Sequence, residues 1–391
     1  MRAKTMLRPV GSRVPRPARG QAEPLPWENQ YHTWCMGSGT EALSAAIMLA
    51  IRRSELNGAV PHVILPAYGC PDLVAAVVAQ GASPVLVDLM PDRPVMDLEK
   101  LVQAISGHTI AVIAAGFLGV PERLAELGDI CRSRGLWLVE DSAQCFPPDC
   151  SHKPIADCAV LSFGRGKPIN LMGCGALLVR EDHQRFAGDV LEKLPETAVT
   201  VDWKWMIRRQ VFNLLLGRIG YGLLLRLPFI GLGSTVYKPL ESIRRVDLPL
   251  GLLGAGIRNA QSRPSVASQY SEALSFLVAK GWTLFMADQR AGADRPSVTL
   301  RYGLLAPDRM TRNRAVSLLN GYGIGANAFY EKTLPGIDVI ADVLPTNPAV
   351  YPNAASFAER LLTLPSHEDV SDRDITVVVT VLDKVTREPE K

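Results

Sequence analysis

The sequence predicts an α/β protein with a mostly parallel central sheet flanked by helices, followed by a smaller C-terminal α+β domain. Three observations predict this. Between Ser38 and Arg180, short apolar runs alternate with stretches of helical period, as strand–helix–strand units do. Several runs, Trp137-Leu138-Val139 among them, are apolar at successive positions, as in strands buried on both faces. After about residue 250 the alternation gives way to longer helical stretches with few strands between them.

In chain order, strands are expected at 63–65, 84–87, 110–115, 136–139, 159–163 and 176–179. Helical spacing fits 40–52, 73–80, 98–105 and 121–134. Further on, a helix is expected from Ser262 to about Lys280 and strands at 282–286 and 297–302. Helices follow at 309–320, 354–361 and 372–385. These elements divide the chain into an extended arm (1–26), a large domain (27–250) carrying an apolar and basic insertion at about 201–245, and a smaller domain (251–391).

The chain has 391 residues, 47% hydrophobic and 21% charged, enough to bury a large core. A formal net charge of +3 does not favour nucleic acid as a partner. Six basic residues, Arg2, Lys4, Arg8, Arg13, Arg16 and Arg19, crowd the start, yet no apolar stretch follows as a signal peptide requires. The mix of Pro, Arg and Gly there reads as an extended, partly disordered lead-in. Seven scattered cysteines contain no Cys-x-x-Cys pair, so reduced cytoplasmic thiols are expected and no metal site.

Three turns carry chemistry. Val139-Glu140-Asp141-Ser142-Ala143-Gln144 ends an apolar strand in a carboxylate, and in open α/β sheets the carboxyl ends of strands face the ligand crevice. Asp141 there serves as a base, a metal ligand or a partner for a cation; as a helix cap it would do nothing chemical. Leu161-Ser162-Phe163-Gly164-Arg165-Gly166-Lys167 ends a second strand in a glycine-rich turn with a lysine. Taken alone Lys167 reads as a solvated surface lysine. Paired with Asp141 it matches what pyridoxal phosphate needs, a lysine for covalent attachment and an acid for the ring nitrogen. Gly37-Ser38-Gly39-Thr40-Glu41 opens a helix, where backbone N–H groups and the helix dipole can cradle a phosphate.

As an ordered set these residues resemble the DegT/DnrJ/StrS family of sugar aminotransferases, which have the fold type I pyridoxal-phosphate architecture. The resemblance rests on Ser38-Gly39-Thr40, Pro66-Ala67-Tyr68, Gly81 to Asp88, Glu140 to Gln144, Ser162 to Lys167, and Ala358-Glu359-Arg360-Leu361 with Leu364-Pro365-Ser366-His367. It implies that Lys167 holds the cofactor, Asp141 pairs with the pyridinium, and Gln144 lies near the ring hydroxyl. Ala143 would pack beneath the ring, and Ser38, Gly39, Thr40 and Ser162 would hold the phosphate. The resemblance further implies transfer of an amino group from an amino acid, commonly glutamate, to a keto sugar, commonly nucleotide-linked, and a homodimer with the site near its interface. The chain departs from the family in three places. Cys70 stands where members place an aromatic residue over the ring, with Tyr68 two positions earlier as the substitute. Asn259, in Gly256-Ile257-Arg258-Asn259, is the nearest counterpart of an asparagine lent by the second subunit. Phe329-Tyr330-Glu331-Lys332 lacks the family's late histidine.

Two other readings compete. A sugar dehydratase of the same fold carries histidine at the lysine position, which Lys167 opposes. A non-catalytic binding or regulatory protein could keep the fold, with Cys70 and the absent histidine in its favour and Asp141 and Lys167 against it. Finally, 211–233 is more apolar than an aminotransferase surface needs. Arg218, Arg226 and several glycines oppose a straight membrane span. What remains is either a buried helical insertion, packed on the dimer or over the active site, or an interfacial helix. The latter would have Trp203, Trp205, Lys204, Arg208 and Arg209 at the headgroups and would place a cytoplasmic protein at the inner face of the membrane.

Overall fold

The computed structural model describes residues 5–18, 24–56, 58–226, 236–287, 298–344 and 350–387. Among these, nine strands form one sheet: β1 (Tyr31–Met36), β2 (His62–Pro66), β3 (Ser83–Val87), β4 (Thr109–Ala115), β5 (Trp137–Asp141), β6 (Cys158–Ser162), β7 (Gly175–Arg180), β8 (Glu196–Ala198) and β9 (Arg245–Asp247). Their spatial order is β3-β2-β4-β5-β6-β7-β1-β9-β8. The pairs from β3 through β6 are parallel, whereas β7 is antiparallel to both β6 and β1. Two reversals restore direction, so β1 runs the same way as β5 and β6. The carboxyl ends of all three therefore open on one edge of the sheet.

Helices α1 (Gly39–Arg53), α2 (Asp72–Val78), α3 (Leu98–Ala104), α4 (Leu124–Arg134) and α5 (Gln184–Leu191) accompany the strands. The start of α1 is set by Ser38, whose Oγ accepts from the Glu41 N–H at 3.1 Å, a cap worth about 1 kcal/mol. Arg52 and Arg53 in its last turn complement the helix dipole. Its buried face, with Ala42, Leu43, Ala46 and Ile47, joins the main core. Gly135, at φ 66°, ends α4 in the left-handed conformation that favours glycine.

Beyond the sheet lie α6 (Trp203–Leu215), α7 (Arg218–Leu224), α8 (Leu250–Gln261) and α9 (Ala267–Ala273), then β10 (Arg301–Leu305), α10 (Arg309–Gly321), α11 (Asp338–Ala341), α12 (Pro352–Arg360), β11 (Leu361–Pro365) and α13 (Asp372–Arg387). β10 and β11 form a two-stranded antiparallel sheet. The buried Ile375, Val378, Leu382 and Val385 of α13 recur at helical spacing and seal the outside of this lobe. One apolar cluster runs from Ile47, Leu65 and Ile113 in the large lobe to Tyr302, Leu304, Phe357 and Val378 in the small one. The two lobes thus share a continuous core, which fixes the cleft between them.

Several expectations are corrected. β1 was not foreseen, because Tyr31-His32-Thr33-Trp34-Cys35-Met36 is neither continuously apolar nor cleanly alternating; it is an interior strand between β7 and β9. The stretch 282–286 is a turn with a single bridge, Thr283 to Leu305. The strand expected at 297–302 is β10 at Arg301–Leu305, and Ser297 lies outside the described residues. The helix expected from Ser262 to Lys280 is α9 followed by a 3-10 turn at Ser275–Lys280. α8 packs Leu252, Leu253 and Ile257 with Phe163, Ile169 and Leu171, so its apolar face belongs with the large lobe. The described part of the N-terminal arm is not a loose lead-in. Leu7, Arg8, Ser12 and Val14 are buried, and the Leu7 N–H donates to the Gly323 carbonyl at 2.9 Å. Residues 1–4 and 19–23 of the arm and 227–235 of the apolar stretch lie outside the described residues.

Candidate active site

The edge shared by β1, β5 and β6 gathers the three motifs. Gly39, Thr40, Asp141, Ala143, Gln144, Ser162 and Lys167 line one small cavity, together with Leu43, Cys70, Asp72, Leu73 and Gly116. Seven of the nine site positions expected from sequence therefore meet there. Ser38 sits one residue outside it as the α1 cap. Tyr68 does not line it. The Tyr68 ring is buried among Phe117, Tyr330 and Phe357, and its hydroxyl donates to the Tyr330 carbonyl at 2.9 Å. Cys70, not Tyr68, faces the site. Asn259, expected to serve the site of a second subunit, donates its amide to the Arg13 carbonyl of its own chain at 3.1 Å.

Backbone proximity shapes the cavity. A Cβ on Gly39 would stand 2.6 Å from the Ser162 Cβ, and one on Gly175 would stand 2.6 Å from the Gly39 nitrogen. Only hydrogen at these positions lets the start of α1 approach the end of β6. Gly116 donates its N–H to the Asp141 carbonyl at 2.9 Å, and a Cβ there would run into Cys145 at 2.5 Å. Gly166, at φ 79°, turns the chain between β6 and Lys167, whose N–H returns to the Gly164 carbonyl at 3.3 Å.

The Asp141 carboxyl accepts from the Ala143 N–H at 3.0 Å. Burial raises its pKa above the usual carboxylate value; that hydrogen bond and the charge of Lys167 oppose the rise, and Asp72 adds to it. Such a carboxyl is relieved by a cation placed against it. Gln144 Oε1 accepts from the Leu118 N–H at 3.4 Å, which fixes the amide at the wall.

Cys70 and Asp72 also line a second, much larger cavity of about 1030 Å³. One wall comes from α6 and α7, through Trp205, Val211, Phe212, Leu215, Tyr221 and Leu224. The arm contributes Pro9, Val10 and Gly11, and the small lobe contributes Arg301, Asn327, Phe329 and Tyr330. Left-handed backbone occurs at three non-glycine lining positions, Met172 (φ 69°), Cys174 (φ 67°) and Phe329 (φ 58°), a conformation that is costly for side-chain-bearing residues and clusters at functional sites. Sequence reasoning missed Asp72, Gly116, Arg301, Asn327 and the arm. Arg301 did leave a signal, a charge inside the apolar run Leu300-Arg301-Tyr302-Gly303-Leu304. No group of His, Cys, Asp and Glu suited to a metal occurs among the described residues.

The solved structures most like this fold include ntda from Bacillus subtilis with bound cofactor PMP (TM-score 0.65, 16% identity, covering 92% of this chain and 74% of that one). Another is an aminotransferase, TlmJ, from Streptoalloteichus hindustanus (TM-score 0.63, 18% identity, covering 96% and 98%). Among curated relatives, a dTDP-4-dehydro-2,3,6-trideoxy-D-glucose 4-aminotransferase of Saccharopolyspora spinosa is 33% identical over 28% of this chain. A GDP-perosamine synthase of Escherichia coli O157:H7 is 30% identical over 39% of it. The matched stretches span 27% and 41% of those relatives' lengths. The family profile of the DegT/DnrJ/EryC1/StrS aminotransferases matches residues 28–192 and 255–383, leaving the segment with α6 and α7 outside the match. With the profile covering well over half of it, this chain belongs to the DegT/DnrJ/EryC1/StrS aminotransferase family.

Proposed function

We propose that this protein is a pyridoxal-phosphate-dependent aminotransferase. It moves an amino group from an amino acid, glutamate by family resemblance, to a keto sugar carried on a nucleotide. The observation that carries the reading is the meeting of Asp141 and Lys167 in one cavity, at the edge where Gly39 closes on Ser162. The dTDP-, UDP- and GDP-linked products and substrates in the relatives' names support the acceptor class.

The residues present fit the cofactor. Gly39 and Thr40 at the start of α1, with Ser38 behind them and Ser162 opposite, offer backbone N–H and hydroxyl donors to a phosphate. Asp141, destabilised by its own burial, would hold a proton on the ring nitrogen. Ala143 would form the floor and Gln144 would face the ring hydroxyl. Cys70 stands where the family's stacking aromatic is expected. When bound, the cofactor supplies an electron sink for carbanion chemistry at the substrate carbon. Lys167 would anchor it and, with its amine free, would take the proton from that carbon and deliver it again. Phe212, Leu215 and their neighbours on α6 and α7 would keep water from the cleft.

The dehydratase reading is opposed by Lys167 itself. A purified-protein spectrum separates the remaining alternatives. A near-visible band that appears with pyridoxal phosphate and bleaches with an amino donor supports transfer, whereas the absence of any band supports a binding protein. Lys167→Ala should fold and lose the band; a borohydride-trapped lysine adduct in that variant would refute the assignment.

A homodimer and a membrane-surface contact through 203–233 belong to the same reading. Trp203, Leu214, Ile219 and Leu223 are exposed on α6 and α7 and, with the exposed Lys204, stay outside the cavity lining, which supports a contact of one or the other kind. No helix among the described residues is long and apolar enough to cross a membrane.

A further inference from the structure

Arg301 is the anomaly of the large cavity. It lies at the start of β10 and is only 8% exposed, yet it lines the cavity beside Asn327 and Phe329. No acid among the described residues forms an ion pair with it. Its Nη1 donates to the Thr363 hydroxyl at 3.3 Å, and its guanidinium lies 4.3 Å from the centre of the Phe329 ring. An arginine has five N–H donors, and the described partners engage one. Burial pushes its pKa down to about 10, with Tyr330, Tyr221 and Tyr68 holding it up, so the group stays charged at neutral pH. Burying a charge without a counter-ion is among the costliest arrangements in a protein interior. A methionine of similar length would fill the same space without that cost.

The surroundings hold the guanidinium in place without neutralising it. Phe329 keeps its left-handed backbone because the Asn327 side chain accepts from its N–H. Asn327 in turn is tied to β11 by paired bonds with Thr363, at 3.0 and 2.8 Å. The Phe329 ring provides a flat seat for the cation. Across the described lining of the cavity, Arg165, Arg208 and Arg301 face a single acid, Asp72, and Arg301 is the one that is buried.

We propose that Arg301, with Asn327 beside it, is the seat for an oxyanion of the substrate. The shared chemistry is a pair of oxygens meeting the guanidinium fork. It could be the carboxylate of the amino donor or a phosphate of the nucleotide-linked acceptor. The identity of the anion rests on the aminotransferase reading; the existence of the seat does not.

The test is calorimetric binding to the cofactor-loaded protein, with maleate as an unreactive dicarboxylate and thymidine diphosphate as an unreactive phosphate, for wild type, Arg301→Lys and Arg301→Met. Wild type should bind at least one probe. Arg301→Met should weaken that probe roughly tenfold to hundredfold, as loss of a charge-assisted contact does, with Arg301→Lys in between. Its melting temperature should stay level or rise, because a buried charge has been removed. A loss confined to maleate identifies the donor carboxylate, and a loss confined to thymidine diphosphate identifies the acceptor phosphate. If Arg301→Met binds both probes as wild type does, if wild type binds neither, or if the variant only melts earlier, the seat is overturned. If the seat holds but no amino donor changes the spectrum, the aminotransferase reading fails alone.

Discussion

At Gly39 a single methyl group is enough to test the cradle. Its Cβ would stand 2.7 Å from the Ser162 hydroxyl and 3.2 Å from the Ser162 Cα, so Gly39→Ala must push α1 away from β6. Overpacking of this kind costs about 1–3 kcal/mol. We expect a lower melting temperature and clearly weaker pyridoxal phosphate binding by equilibrium dialysis; wild-type affinity would contradict the cradle. Asp141→Asn should retain the cofactor and slow transfer by roughly a hundredfold or more, the scale seen when one preorganised electrostatic partner is removed. An unchanged single-turnover rate would remove Asp141 from its role. Asp141, Ser162 and Lys167 were legible in the sequence because each ends or follows an apolar strand. Tyr68 was misplaced because closeness in sequence does not give the direction of a side chain: its hydroxyl is committed to the Tyr330 carbonyl. Arg301 left a charge inside an apolar strand, but its place was not legible because its cavity is assembled from segments far apart in the chain.

Among the elements, the arm shows how far composition can mislead. Pro and Arg suggested a loose lead-in, but Arg8 is buried against Glu368 and Asp369, and His367 bonds to the Arg8 carbonyl at 2.8 Å. The Leu-Pro-Ser-His ending, noticed as a motif, thus clamps the segment that supplies Pro9, Val10 and Gly11 to the cavity. Burial, together with the Arg8 charge, lowers the pKa of His367 from its ordinary 6.5. The folded state therefore favours the neutral ring. Its contribution is full above about pH 6.5 and is lost as the pH falls below that value. Thermal unfolding should show wild type losing more stability than His367→Gln between pH 7.5 and 5, and parallel profiles would contradict the clamp. In the insertion, the helical turn separates neighbours: Leu215 and Leu224 line the cavity, whereas Leu214 and Leu223 are exposed. The sequence showed an apolar stretch without saying which face turned inward. Leu214→Glu with Leu223→Glu should abolish any co-sedimentation with anionic vesicles at low salt while sparing the cavity. If wild type does not co-sediment, the membrane contact falls.

For the whole molecule, the fold class was legible because the alternation of strands and helices is local. The antiparallel β7, the interior position of β1 and the core shared between lobes were not, because they depend on pairings between residues far apart in sequence. β1 matters most, since its direction brings the α1 cradle to the edge that holds Asp141 and Lys167. Light scattering should give a dimer mass; a monomer with full activity would refute the dimer. The account stands on the pairing of Asp141 and Lys167 around a cofactor. The most direct measurement is the absorbance spectrum of purified protein titrated with pyridoxal phosphate and then with glutamate and other amino donors. We expect a near-visible band that is absent in Lys167→Ala and bleached by a donor. A wild-type spectrum indistinguishable from that of Lys167→Ala would contradict it.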